Sequence, residues 1–369
     1  MSIRRVVVAV LAVVVADLGI AAGGAHAQAG PLPPPVRTVF VVNLENKGYD
    51  ETFGPDSPAT YLNTVLRPRG NLLTQYYGTA HASLGNYIAQ ISGQGPNVET
   101  QSDCQFYDDF VGPGTVPPQQ AVGQGCVYPA SVQTLPDQLA AKGLSWKGYM
   151  EDMGNSPTEP ATCRHPKLNS QDQTQIARVG DQYAARHNPF VYFHSIIDSP
   201  ACSERVVPLD RLDADLAPKS TTANLVYITP NLCNDGHDAQ CVDGRQGGLV
   251  AADQWLSTWI PKILGSRAFR KAGLLIVTFD ESEANDASAC CGEGPGPNSP
   301  LPGITGMGGG RTGAVAVSPF IRPGSWNSTP YNHYSLLCSI EELFGLSKLG
   351  YAGQPGLQCF GTDVYTRLT

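Results

Sequence analysis

Three stretches of the sequence place acidic or amide side chains directly after a run of apolar residues. Glu45 and Asn46 follow "TVFVVNL", Asp280 and Glu281 follow "GLLIVTF", and Asn231, Asp235 and His237 follow "NLVYITP". Such runs predict buried strands, and ligands bind at the carboxyl ends of the strands in open α/β sheets. Two neighbouring carboxylates stay ionised at low cost only when a cation lies between them. The pattern therefore predicts a site for a hard divalent cation such as Ca²⁺, Mg²⁺ or Mn²⁺.

A serine precedes the first predicted helix. "LGNYIAQISG" (84–93) has helical character and ends at a glycine, and His81 and Ser83 come just before it. A serine at that place caps many helices through its hydroxyl oxygen. A helix N-terminus also presents free N–H groups and the positive end of the helix dipole to a phosphate, so Ser83 could equally attack phosphorus. The residues alone leave both interpretations open.

Six segments, in the same order along nearly the whole chain, resemble a known family. They are "VVNLENKGYDETFG", "HASLGNY", "RHNPFVYF", "ITPNLCNDGHD", "LLIVTFDE" and "YNHYSLLCSIEELFGL". The family is the bacterial phosphoesterases, which include secreted acid phosphatases and non-specific phospholipases C. The chain most resembles the short secreted acid phosphatases of actinobacteria, of the phosphatidylinositol-3-phosphatase type. It departs from the family pattern at Gly85, where proline is usual, and at Glu281, where some relatives have aspartate.

The resemblance implies an α/β fold with three αβα layers and a mostly parallel central sheet, as in the alkaline phosphatase superfamily. It also implies a divalent metal ion (Ca, Mg, Mn or Zn) bound by Glu45, Asn46, Asp280, Glu281 and Ser83. Ser83 would be the nucleophile, and Asn86 would hydrogen-bond a phosphoryl oxygen.

Four histidines fall within these segments and are predicted to bind phosphate or donate protons: His81, His187, His237 and His333. His165 and His194 lie outside the segments and are predicted to be structural. The pair Glu151 and Asp152 either supports the site or forms a turn. The role of Asp235 is left open.

Composition and the N-terminal sequence indicate which partners and which cellular location to expect. The net charge of −8 argues against a nucleic-acid or anionic-membrane surface, because both need clustered Lys and Arg. Two arginines, an apolar run over 6–22 and the Ala25-His26-Ala27 cleavage pattern predict a secretory signal peptide over 1–27. A single phosphoesterase domain is predicted over 28–369, secreted and without stable membrane insertion.

Ten cysteines without paired C-x-x-C spacing favour several disulfides in an oxidising compartment. The nearest candidates are Cys104 with Cys126, Cys233 with Cys241 and Cys338 with Cys359. Spacing alone does not fix the pairing.

Strands and helices are predicted to alternate, which favours a mostly parallel sheet. Strands are predicted at 38–44, 145–150, 190–195, 224–230, 273–281 and 313–319, and helices at 84–93, 131–143, 249–264 and 333–345. The segments 94–130 and 282–311 are predicted to be long loops that form lids or site walls.

Together these features predict an exported, metal-assisted phosphatase that hydrolyses phosphate monoesters through Ser83. Its substrate would be a small phosphate ester or a phosphoinositide head group. A phospholipase C acting on phospholipid diesters is the nearest alternative. A non-catalytic binding protein on the same fold is another, and a Ser-His-Asp esterase is a third, although the chain lacks a G-x-S-x-G motif.

Overall fold

The computed structural model describes residues 33–217 and 222–366. The predicted signal peptide lies outside these residues. The described chain forms an eight-stranded central sheet and three two-stranded ribbons. The strands are β1 Thr38–Leu44, β2 Asn71–Leu73, β3 Tyr76–Tyr77, β4 Phe106–Tyr107, β5 Val111–Val116, β6 Gln120–Gln124, β7 Trp146–Met150, β8 Ser170–Gln171, β9 Val206–Pro208, β10 Leu225–Thr229, β11 Gly273–Phe279, β12 Ala314–Val317, β13 Ser325–Asn327 and β14 Tyr331–Asn332.

The α-helices lie on both faces of the central sheet. They are α1 Tyr49–Phe53, α2 Ser83–Ser92, α3 Leu135–Ala141, α4 His194–Ile197, α5 Pro200–Arg205, α6 Arg211–Leu216, α7 Gly248–Gly265, α8 Arg267–Ala272 and α9 His333–Phe344. Their local signals agree with the sequence. Thr134 and Asp137 form a capping box at the start of α3, and Gly93 adopts a φ of 67° directly after α2, a conformation that suits glycine at a helix end.

The central sheet is mostly parallel, with the strand order β13-β2-β12-β11-β1-β10-β7-β9. Strand β1 pairs in parallel with both β11 and β10, whereas β12 runs antiparallel to β11 and β2. The strands β11, β1 and β10 are therefore neighbours that point the same way. Their carboxyl ends lie at one edge of the sheet, where the sequence places its acidic side chains.

Alternation along the strands divides the core into two layers. On β1, Val39 and Val41 join the cluster that contains residues of α2, α3 and α9. Phe40, Val42 and Leu44 join the cluster that contains residues of α7 and α8. Successive side chains of a strand point to opposite faces, so the sheet is buried between two helical layers. The predicted three-layer αβα fold is confirmed.

One predicted strand is wrong. Residues 190–195 do not pair in the sheet; Pro189–Tyr192 form a 3₁₀ turn, and His194 begins α4. A short apolar run does not distinguish a buried strand from a buried helical turn. Pro189 favours the helical start, since its fixed φ suits the first position of a helix.

Five disulfides pair all ten cysteines. They are Cys104–Cys126, Cys163–Cys202, Cys233–Cys241, Cys290–Cys291 and Cys338–Cys359. The three pairs proposed from spacing are among them. Among the described residues, no helix is both long and apolar enough to cross a membrane.

Candidate functional site: an acidic pocket at the start of helix α2

Ser83 is the first residue of α2 and is almost fully buried. Its Oγ donates a hydrogen bond to Glu45 Oε2 at 2.8 Å, which joins the helix start to the residue that follows β1. Ala82 is the N-cap residue, and the Ser83 hydroxyl points at a carboxylate instead of capping the backbone. The geometry therefore presents Ser83 as a polar group of the pocket.

Glu45 is shared by a tyrosine and a histidine. Tyr87 donates its hydroxyl to Glu45 Oε1, and His187 Nε2 lies 3.4 Å from Glu45 Oε2. The other ring nitrogen of His187, Nδ1, lies 3.2 Å from Asp235 Oδ2. Ligand atoms of Glu45, His187 and Asp235 all lie within 4.8 Å of one another, and the three residues are buried. They form a candidate metal centre of mixed oxygen and nitrogen donors.

Asp280 reaches the same pocket from the end of β11. Its Oδ1 accepts a hydrogen bond from the backbone N–H of Asn46 at 3.1 Å. Among the described residues, its Oδ2 has no hydrogen-bond partner, and neither do Asn46 Oδ1 and His187 Nε2. Buried polar atoms are nearly always paired, so the unpaired oxygens of Asp280 and Asn46, together with a His187 nitrogen whose nearest partner is a carboxylate, fit a bound cation.

The electrostatics of the pocket agree with this fit. Burial raises the pKa of Glu45 well above its usual value, and the nearby charges of Asp280 and Asp235 raise it further. Burial likewise raises the pKa of Asp235 and of Asp280, with the charge of Glu281 adding to the effect on Asp280. A divalent cation would relieve both the burial and the repulsion of these carboxylates.

Glu281 has protein partners on both oxygens. His81 Nδ1 lies 2.7 Å from its Oε2, and Asn46 donates its amide to Oε1 at 2.6 Å. The second ring nitrogen of His81 donates to the carbonyl of Asp286 at 3.0 Å. Burial alone would lower the pKa of His81, but the hydrogen bond and charge of Glu281 outweigh it and raise the pKa to about 9. His81 and Glu281 thus form a buried ion pair beside the metal centre.

The amide of Asn86 holds the turn that leads into α2. Its Oδ1 accepts from the backbone N–H groups of Thr79 and Ala80 at 2.8 and 2.9 Å, and its Nδ2 donates to the Ala80 carbonyl at 2.8 Å. The same Nδ2 is 3.4 Å from Glu281 Oε2. The predicted phosphoryl contact of Asn86 stays a prediction, while these bonds give the residue a positioning role.

His333 lies behind Asp280 and is fully buried. Its Nε2 donates to the backbone carbonyl of Asp280, and its Nδ1 accepts from the hydroxyl of Tyr76 at 3.0 Å. Burial lowers its pKa to about 4 despite the bond to the carbonyl. The ring is therefore neutral at pH 7 and holds the end of β11 in place.

His237 lies at the outer side of the site, and its side chain is partly exposed. Its backbone N–H donates to Asp235 Oδ1, and its Nδ1 bonds the Asp238 carboxylate, both at 2.8 Å. Its Nε2 lies 3.3 Å from a guanidinium nitrogen of Arg186. His237 is therefore the most exposed of the four predicted histidines.

Two residues of the pocket were not assigned from the sequence. Asp235, whose role was left open, completes the candidate metal centre. Arg186 is buried, with its Nε 3.8 Å from Asp103 Oδ2, and Asp103 in turn accepts the Leu84 N–H at the start of α2. The signal for Arg186 was its place directly before His187 in "RHNPFVYF".

The pair Glu151 and Asp152 supports the loop that carries Asp235. Glu151 accepts the Asn231 N–H at 2.9 Å and the Asn234 amide at 3.0 Å, and Asp152 accepts the Asn231 amide at 2.8 Å. Of the two roles considered, these contacts favour support of the site.

Comparison with known proteins identifies the family. The model of the Phosphoesterase family matches residues 56–347. The chain belongs to this family. A phosphate-repressible acid phosphatase of Penicillium chrysogenum is 26% identical over 77% of this chain and 54% of the relative. A phosphatidylinositol-3-phosphatase of Mycobacterium tuberculosis is 25% identical over 93% of this chain and 90% of the relative.

The chain spans little more than half the length of the fungal phosphatases it matches. The chain is also similar to a solved structure from Vibrio parahaemolyticus, which is described as a member of the alkaline phosphatase superfamily. The match covers 90% of this chain and 74% of that chain. Its TM-score is 0.48 and its identity 12%.

In this phosphoesterase, the family match includes Ser83, Asp235 and Asp280, whereas Glu45 and Asn46 precede it. The structure brings these residues together from α2 and from the ends of β1, β10 and β11. The resulting pocket holds one serine hydroxyl, several carboxylates and a buried guanidinium. This combination can bind a metal ion beside a hydroxyl nucleophile and can offer positive charge to an anionic ligand.

Proposed function

We propose that this phosphoesterase is an exported, metal-assisted phosphomonoesterase that uses Ser83 as its nucleophile. The observation that carries the proposal is the Ser83–Glu45 hydrogen bond of 2.8 Å at the start of α2, beside orphaned atoms of Asp280 and Asn46. A nucleophile, an anion-favouring helix terminus and candidate metal ligands then lie in one buried pocket.

The metal ligands would be Glu45, His187 and Asp235, with Asp280 and Asn46 offering further oxygens. A bound divalent cation would lower the pKa of the Ser83 hydroxyl and offset the charge of the phosphoryl oxygens. Of the ligands predicted from sequence, Glu281 instead holds His81 and Asn46 in place.

The chain's own groups would act in two steps. Ser83 Oγ attacks phosphorus, its proton passes toward Glu45, and the ester oxygen leaves as an alcohol with a proton supplied by His237. Water then attacks phosphorus and gives a proton to His237, the bond between phosphorus and Ser83 Oγ breaks, and the proton held by Glu45 returns to restore the Ser83 hydroxyl. Arg186, whose guanidinium lies 3.3 Å from His237 Nε2, would balance the charge of the phosphoryl group.

Two further points support monoester substrates and export. Both relatives named above are phosphatases, one of which acts on a phosphoinositide by name. Five disulfides suit an oxidising compartment, in agreement with the predicted signal peptide. Ser83, Glu45 and Asp280 are all present and assembled, which disfavours a non-catalytic binding protein.

The test compares p-nitrophenyl phosphate, bis-p-nitrophenyl phosphate and phosphatidylcholine, each with and without a chelator. We expect turnover of the monoester alone, reduced when metal is removed and restored when it is added back. Preferential hydrolysis of phosphatidylcholine would instead identify a phospholipase C. Because a tightly held ion can resist the chelator, the metal content of Glu45→Gln and Asp280→Asn is measured as well. Both variants should lose metal and activity together.

A further inference from the structure

More than half of the exposed large apolar side chains lie in three loops that contact the start of α2 or Arg186. Within the described residues, seven of the thirteen large apolar side chains that are exposed lie in three loops, and we call them the apolar rim: Val98, Leu168, Ile176, Val179, Leu301, Ile304 and Met307. Ile176 and Val179 are 80% and 75% exposed, and Val98 and Ile304 are 56% and 49% exposed. Single exposed apolar residues are ordinary, but a group of them on neighbouring loops marks an interaction surface.

Hydrogen bonds tie the three loops to the start of α2. The Pro302 carbonyl accepts the N–H of His81 at 3.2 Å. The Gln101 amide donates to the carbonyl of Leu301 at 2.7 Å, which joins the loop of Val98 to that of Ile304.

The third loop is joined through Gln175. Its amide donates to the Asp103 carbonyl at 2.9 Å, and its own carbonyl accepts from the Arg186 guanidinium at 3.1 Å. The three loops of the apolar rim are therefore all hydrogen-bonded, directly or through one another, to the start of α2 or to Arg186.

Positive charge accompanies the apolar side chains of the third loop. Lys167 is next to Leu168, and Arg178 is next to Val179. Among the described residues, the structure shows no ion pair for either cation, whereas the neighbouring Arg164 is paired with Asp181 at 2.8 Å. Two unpaired cations beside exposed aliphatic side chains, in a chain of net charge −8, complement a surface that is both apolar and anionic.

We propose that the apolar rim docks this protein on the surface of an anionic phospholipid bilayer, with the pocket facing the lipid headgroups. The second half of this inference, that a lipid carries the phosphate monoester, rests on the proposed function. Aliphatic side chains would enter the headgroup boundary, while Lys167 and Arg178 would contact lipid phosphates. The docking is reversible and peripheral. The negative overall charge of the protein does not prevent it, because the contact involves only a local surface and distant charges are screened.

Binding is tested first with a lipid that a monoesterase does not consume. Vesicles of phosphatidylcholine and phosphatidylglycerol, in a roughly four-to-one ratio, are sedimented with the full chain. We expect the wild type to bind, and Ile176→Ser/Val179→Ser to bind at least about tenfold more weakly, because two aliphatic side chains no longer enter the apolar layer. Arg178→Gln should weaken binding to these vesicles but not to pure phosphatidylcholine.

A matched control lies outside the three loops. Trp326, 68% exposed on β13, is replaced by serine and should leave vesicle binding unchanged. The proposal is overturned if the wild type does not sediment with vesicles, if the double variant binds as well as the wild type, or if Trp326→Ser loses as much affinity.

Activity separates this proposal from the proposed function. The Ile176→Ser/Val179→Ser variant should keep its turnover of p-nitrophenyl phosphate and lose most of its turnover of phosphatidic acid in vesicles. A wild type that binds vesicles but hydrolyses neither substrate contradicts the proposed function and leaves the docking surface standing. Equal loss on both substrates shows that the double substitution damages the pocket, and overturns the docking role of these two residues.

Discussion

Removal of the Ser83 hydroxyl tests whether this serine is structural or is the nucleophile. Its removal in Ser83→Ala costs one hydrogen bond to Glu45, which is worth about 1 kcal/mol of folding stability. Loss of a nucleophile should reduce turnover by at least about a thousandfold, equivalent to about 4 kcal/mol of barrier. We therefore expect a cooperatively folded variant with almost no activity.

The Ser83→Ala measurement pairs thermal unfolding with steady-state turnover of p-nitrophenyl phosphate. Retention of more than about a tenth of wild-type turnover would assign the hydroxyl a structural role. Acid-quenched mass spectrometry of the wild type should then show the phosphoryl group on another residue, such as Thr79, or on none if a metal-bound water attacks directly.

Arg186 supplies a fixed positive charge that does not depend on a metal. Since its guanidinium is buried beside His237 and Asp103, we expect Arg186→Gln to raise KM for a phosphate monoester at least about tenfold, as expected for a lost charge-assisted contact. The inhibition constant of inorganic phosphate should rise in parallel. Arg186→Lys should recover part of the affinity, and Arg211→Gln at an exposed position should change neither constant.

A purely structural role for Arg186 predicts a different result. In that case Arg186→Gln would lower the melting temperature and kcat while the inhibition constant of phosphate stayed at its wild-type value. The two constants and the melting temperature together decide between the roles.

At the scale of elements, the predicted positions of Glu45 and Asp280 hold because their strands are long, apolar and central. All seven residues of β1 and all seven of β11 are buried, so the apolar runs of both strands can be recognised without knowing which strands pair with them. The two- and three-residue strands, such as β2 and β13, carry no period that a sequence could reveal.

The missing parts of the predicted site have a physical reason. Asp235 lies in a loop and Arg186 in the short 3₁₀ turn Ala185–His187, and the directions of both side chains depend on contacts with distant parts of the chain. Asp235, for example, meets His187 only because the loop after β10 is folded onto Glu151 and Asp152. Residue type and spacing predicted a cation site, but not which of the neighbouring oxygens have protein partners.

Glu151 joins the end of β7 to the loop after β10, and its burial gives stability a pH dependence. Burial raises its pKa from 4.5 to about 7, opposed in part by the Asn231 and Asn234 hydrogen bonds. The folded chain thus keeps a proton that the unfolded chain releases between these values, so this group's contribution to stability falls as pH rises through that window. The loss amounts to up to about 3 kcal/mol.

Glu151→Gln removes the ionisation and keeps the shape of the protonated side chain. We expect the free energy of unfolding of the variant to increase relative to that of the wild type as pH rises from about 5 to about 8, because only the wild type loses stability in this range. Urea unfolding at several pH values measures the difference, with Glu204→Gln at an exposed position as the control. A difference that is independent of pH would contradict the raised pKa.

At the scale of the whole molecule, disulfides join buried core residues to the loops of the site, since Cys104, Cys126, Cys202 and Cys338 belong to the core cluster that contains residues of α2 and α9. Cys104–Cys126 anchors the residue next to Asp103, and Cys233–Cys241 closes the loop that contains Asp235. Both regions contribute to the pocket, so oxidation and site geometry are coupled. Reduction should therefore lower activity before it unfolds the central sheet, whose strands contain no cysteine.

Export and oxidation make a joint prediction for the purified protein. We expect the mature chain to begin near Gln28, because Ala25-His26-Ala27 provides the small residues that signal peptidase requires. Its intact mass should not change when it is alkylated without reduction, since the structure pairs every cysteine. After reduction in denaturant, the mass should increase by ten adducts, one for each cysteine of the sequence. Ten adducts before reduction would contradict both the disulfides and the oxidising compartment, while an unprocessed N-terminus with paired cysteines would contradict cleavage alone.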